Sequence, residues 1–156
     1  MTRWSPSPEL PDEKKTKGFE LLEHTADVRI RAWGRDLAEA CEALGEGLLA
    51  VLDPSPMPPA TGTSRITVTA PDERGLIVRW LNELIYRCAA EGKLYSGFRN
   101  TRVSLGRGES AQMSVEASEH DAGEIWVGCE VKGATYHGLS IVRREGRCEI
   151  TVILDI

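Results

Sequence analysis

Downstream of Gly92 the chain holds no helical period, and that absence limits the fold more than any other feature of the sequence. Apolar and polar residues alternate in runs near Arg99 to Leu105, Ala111 to Ala117, Ile125 to His137 and Leu139 to Arg143, and again at the end. In the last run Cys148, Ile150, Val152, Leu154 and Ile156 share one face, and Glu149, Thr151, Ile153 and Asp155 share the other. "REGR" before it reads as a hairpin turn. Such a succession of strands, joined by short connections, predicts antiparallel pairing.

Upstream, strands and helices alternate. "ADVRIRAWG" places Val28, Ile30 and Ala32 on one face of a half-buried strand, entered through the loop-like "EHTAD". Leu37, Ala40, Cys41, Leu44, Leu48, Val51 and Leu52 recur at helical spacing, and Asp36 with Glu39 forms a capping-box pattern at the start. Gly45 and Gly47 each cost that helix about 1 kcal/mol relative to Ala, which points to close packing or a bend. "DPSPMPPATGTS" reads as a Pro-rich loop without regular structure. A short strand, "RITVTA", follows. Asp72 then caps a second helix with the stripe Leu76, Ile77, Trp80, Leu81, Leu84, Ile85 and Cys88, and Gly92 stops it. The order implies an α+β domain, a largely antiparallel sheet with two main helices packed on one face. "MTRWSPSPELPDEKKTK" is polar and Pro-rich, so residues 1–17 are expected to be a mobile extension and 18–156 a single domain.

Composition excludes several classes. The 24 acidic residues against 19 basic ones give a net charge of -5, which argues against a broad nucleic-acid-binding face, although Arg29, Arg31 and Arg35 could meet a phosphate locally. Cys41, Cys88, Cys129 and Cys148 are widely spaced at apolar positions and read as reduced thiols of a cytoplasmic protein. No apolar run reaches the ~18 residues of a membrane span. No phosphate-binding loop, zinc-ligand spacing or nucleophile elbow occurs.

What remains are polar interruptions in "EHTADVRI", "VKGATYHGL" and the closing "DI". Taken singly, Asp27 and Asp155 read as solvated carboxylates, His24 as a turn hydrogen-bonder, His137 as a half-buried strand residue and Lys132 as a solvent-facing lysine. Nothing in their spacing joins them.

A resemblance does. "EHTADVRIRAWG", "LAEACEALGEGL", "DERGLIVRWLNELIY", "EVKGATYHGLSI" and "VILDI", in that order, span nearly all of 18–156 and resemble the archease family. That resemblance implies an α+β domain that is not itself an enzyme. It implies a protein that assists the GTP- and manganese-dependent RNA ligase of tRNA splicing by promoting its guanylylation and repeated turnover. It also implies a divalent cation, calcium, held by Asp27, Asp155 and the α-carboxylate of Ile156, with Lys132, His24 and His137 as positions for partner contact and activation. Carboxylates are the natural donors for such a hard cation. Two other readings stand beside this one. The protein could be a chaperone or adaptor for another RNA-modifying enzyme such as a methyltransferase, or a small metal-dependent hydrolase using Asp27 and Asp155 with His24 or His137 as base.

Overall fold

The computed structural model describes residues 16–23, 27–106 and 110–156. Among the described residues nine strands and two helices follow one another: β1 (Gly18–Glu23), β2 (Asp27–Gly34), α1 (Leu37–Leu52), β3 (Pro54–Ser55), β4 (Ala60–Ala70), α2 (Glu73–Glu91), β5 (Lys93–Leu105), β6 (Ala111–Asp121), β7 (Trp126–Val127), β8 (Gly133–Arg144) and β9 (Arg147–Asp155). Every strand pair is antiparallel. The α+β class therefore holds, with the strands distributed over a four-stranded sheet β1-β2-β9-β8, a three-stranded sheet β4-β6-β5 and the small pair β3-β7.

Both helices start and stop where the sequence places them. The Asp36 carboxylate accepts from Glu39 N–H at 2.9 Å, while the Glu39 carboxylate returns to the N–H of Arg35 at 3.0 Å, one residue earlier than a capping box requires. Asp72 caps α2 by accepting from Gly75 N–H at 2.8 Å. Gly92 ends α2 at φ 66°, a left-handed conformation that suits glycine. The glycines of α1 are sites of close approach. A Cβ on Gly45 would lie 2.8 Å from the Phe98 ring, and one on Gly47 would lie 2.8 Å from Ile30 Cγ2.

Each helix touches both sheets. α1 lies across β1, β2 and β9 on one side and β5 on the other, and α2 lies across β8 on one side and β4 and β5 on the other. The core sits between them. Trp80 of α2 is fully buried, its ring meets Phe98 edge-on at 5.5 Å, and its indole N–H donates to the Cys41 carbonyl at 2.9 Å. One side chain thereby fastens α2, α1 and β5 together.

Three expectations change. The Pro-rich loop does contain regular structure: Pro54 and Ser55 pair with Val127 and Trp126, and β4 begins at Ala60, just past the last proline. Proline is tolerated in a two-residue edge pairing, where its missing N–H can face away from the partner. The expected strand from Ile125 to His137 is a short β7 followed by irregular chain, and its end joins the expected run from Leu139 as one continuous β8. Between the Thr135–Ile153 and Ser140–Thr151 pairs β8 bulges, with four residues against one of β9 and Gly138 at φ 75°. Finally, "GFELLE" is a strand in its own right, paired along β2. Of the expected N-terminal extension, residues 1–15 lie outside the described residues. Lys17 is described, and its Nζ is 2.6 Å from the buried Glu42 carboxylate.

Candidate carboxylate site at the sheet end

Asp27 opens β2 and Asp155 closes β9, and the antiparallel register sets them directly opposite each other. The chain returns to β2 after more than a hundred residues, so this juxtaposition exists only through the pairing. Val28, Ile30 and Ala32 of β2 and Ile150, Val152 and Leu154 of β9 face the core, which turns Asp27 and Asp155 to the opposite, outer face. Opposed residues have Cβ atoms about 4.5–5.5 Å apart, and like charges there are destabilising. Asp155 is exposed and Asp27 half-buried. Asp27 Oδ1 is buried and has no hydrogen-bond partner among the described residues. A buried anionic oxygen without a donor is costly unless a cation or a proton satisfies it.

Other elements converge on the same point. Gly133 pairs with Asp155 from the β8 side, and Lys132 N–H donates to the Asp155 carbonyl at 2.8 Å. The Lys132 side chain is exposed. Asn82, which no sequence argument singled out, fixes the start of β8: its Oδ1 accepts from Ala134 N–H at 2.8 Å and its Nδ2 donates to the Ala134 carbonyl at 3.5 Å. The only sequence signal was an amide placed beside the apolar stripe of α2. Ile156 packs its side chain against the core. His24 lies outside the described residues. His137 is exposed four residues along β8 from Gly133, and its backbone N–H donates to Thr135 Oγ1 at 3.2 Å. His137, which the hydrolase reading offers with His24 as a base, lies in the β8 bulge between the Thr135–Ile153 and Ser140–Thr151 pairs.

Of Arg29, Arg31 and Arg35, the last two are engaged by carboxylates of the fold, although Arg35 stays exposed. Arg31 spans Glu20 at 3.0 Å and Glu149 at 2.8 Å, and with Arg147 it stacks on Trp33, each guanidinium 5.2 Å from the ring. Burial opposes the Arg31 charge, but Glu149 and Glu20 outweigh it and its pKa is raised. Arg35 is bound to Glu39. Among the described residues Cys41, Cys88 and Cys148 are free thiols. Burial pushes the pKa of Cys41, Cys88 and Cys148 up, which leaves them poor nucleophiles.

No group of three or more His, Cys, Asp or Glu side chains that could hold a metal occurs among the described residues. The unsatisfied Asp27 oxygen facing a second carboxylate nevertheless fits a hard cation, which would draw its further ligands from backbone oxygens, a terminal carboxylate or water. No helix among the described residues is long and apolar enough to cross a membrane.

Fold and site together define a small α+β domain that presents paired carboxylates at the end of an antiparallel sheet. The archease protein family (MTH1598/TM1083) matches residues 19–156, and the chain belongs to that family. Protein archease of Methanothermobacter thermautotrophicus is 30% identical over 144 residues, covering 90% of this chain and 99% of the relative. The solution structure of Methanobacterium thermoautotrophicum protein 1598 superposes with a TM-score of 0.73 at 27% identity, over 89% of this chain and 99% of that one. A crystal structure of an archease from Thermotoga maritima, described as a possible chaperone, shares the fold at a TM-score of 0.54 and 20% identity, over 86% and 94% of the two chains.

Proposed function

We propose that this protein is a non-enzymatic activator of the GTP- and manganese-dependent RNA ligase that joins tRNA halves, acting in the cytoplasm and promoting guanylylation of the ligase and its repeated turnover. Family membership supports the reading, and one observation carries it: a buried Asp27 oxygen, without a partner among the described residues, set directly against Asp155. Asp27, Asp155 and the α-carboxylate of Ile156 would hold a divalent cation through oxygen donors, calcium being the ion that the family resemblance implies. The cation would neutralise the opposed charges and present a positive centre at the sheet end. Lys132, with its backbone tied to Asp155 and its ammonium group in solvent, would face the ligase, as would His24 and His137.

The test is transfer of labelled guanylate from GTP to the cognate ligase. Wild-type protein should raise the rate, and a form carrying two glycines after Ile156 should not. That extension replaces a carboxylate with a neutral peptide carbonyl, a weaker donor for a hard cation. An N-terminally tagged protein is the control. If the extended form stimulates as well as the control, the terminal carboxylate has no role; if neither stimulates, the activator reading fails.

A further inference from the structure

Two sheet edges, β4 of one sheet and β8 of the other, lie along opposite flanks of α2. Side chains of α2 occupy part of the hydrogen-bonding row on each. On β8, Asn82 takes both backbone groups of Ala134, and Arg74 Nη1 donates to the Leu139 carbonyl at 3.3 Å. On β4, Arg79 Nη1 donates to the Thr69 carbonyl at 3.2 Å. That carbonyl faces away from β6, so the alternation of the strand directs the N–H and C=O of Thr67 and Arg65 outward as well. Those groups meet no side chain of α2.

Beside them is an open cleft of about 450 Å³ lined by Thr67, Val68, Thr69, Arg79, Asn82 and Glu83. Natural edges are blunted by charged side chains, proline or bulges. Between Gly62 and Ala70 this edge has no proline and keeps regular register with β6, and its one charged residue, Arg65, is engaged by Ser114 and Glu116 of β6. One turn beyond Asn82, Tyr86 stands 57% exposed on the same stripe of α2.

We infer that this cleft docks an extended segment of the partner protein, which adds as a strand to the outer edge of β4 and covers Tyr86. An unpaired row of alternating amide donors and carbonyl acceptors selects a peptide backbone. Both edges rest on one helix, about 10–12 Å across. A second copy would have to bring its own α2 alongside its β4. Arg79 has no carboxylate partner among the described residues, so an acidic side chain on the added segment suits its position. Asn82 joins this cleft to the start of β8, hence to Lys132 and Asp155, so a segment docked here would lead a partner to the carboxylate site.

The inference rests on the ligase as partner, and its failure is separable from failure of that reading. The probe is the purified cognate ligase, titrated with wild type, Thr67→Pro, Tyr86→Ala and Asp27→Ala. Proline at 67 removes an outward N–H and no β6 bond, and Tyr86 is exposed, so both variants should melt like wild type. Each should bind the ligase at least about tenfold more weakly, whereas Asp27→Ala should still bind but no longer stimulate. Wild-type affinity in both cleft variants, with stimulation by wild type intact, overturns the docking inference and leaves the functional reading standing. No binding by wild type overturns both. A dimer of the free protein that Thr67→Pro dissociates assigns the edge to a second copy and also overturns the inference.

Discussion

Asp27→Asn should reverse its effect on stability according to whether calcium is present. The two aspartates are directly opposed, so their charges lie about 5 Å apart. At that distance the repulsion is about 0.8 kcal/mol in water and about 3 kcal/mol at an effective dielectric near 20. Asp155 is exposed, so the low end applies, about 1 kcal/mol. In chelator, Asn removes the repulsion and the variant should melt roughly 2–4 °C above wild type. In calcium at about 100 times its dissociation constant, wild type gains about 2.7 kcal/mol and the variant, lacking one anionic donor, gains little. The order of melting temperatures then inverts. Circular dichroism melts in EDTA and in calcium read this directly. If the variant melts below wild type in EDTA, or gains as much from calcium, the opposed pair is not a cation site.

Gly47→Ala should lower the melting temperature by several degrees, because overpacking against Ile30 Cγ2 at 2.8 Å costs about 1–3 kcal/mol and outweighs a helix-propensity gain of about 1 kcal/mol; a rise would show that the contact relaxes freely. Glu39 is held at a pKa of about 2, below its ordinary 4.5, first by the side-chain hydrogen bond from Arg35. A depressed folded pKa contributes stability above the ordinary value that is lost as pH falls from about 4.5 through about 2. Urea midpoints of wild type should therefore fall more steeply than those of Glu39→Gln across that window, and parallel curves would contradict it. Lys132→Ala should keep the calcium-induced rise in melting temperature and lose stimulation of the ligase; unchanged stimulation would make Lys132 a solvated residue only.

Both helices were legible because their signals are local. Asp36, Asp72 and Gly92 act within one turn of the residues they cap, and each apolar stripe needs only its own periodicity. The strand boundaries were less so, since they depend on partners distant in sequence. β3 exists only because Trp126 and Val127 return to it, and β8 stays one strand across Gly138 only because β9 continues beside it. At the site, Asp27 and Asp155 each look like ordinary surface carboxylates, and no local pattern encodes their register. The order of family motifs marked both positions; the pairing of β2 with β9 supplied the geometry. Asn82 stayed hidden because its partners are backbone groups of Ala134, which carry no residue-specific signature.

The most direct test of the central claim is the number of tRNA-half ligation turnovers per ligase, measured with the ligase limiting, in the presence of wild type, Asp27→Ala or Asp155→Ala. Wild type should raise the number of turnovers well above that of the ligase alone, and neither variant should do so while both remain folded. Repeated turnover with either aspartate removed, or none with wild type, would contradict the account.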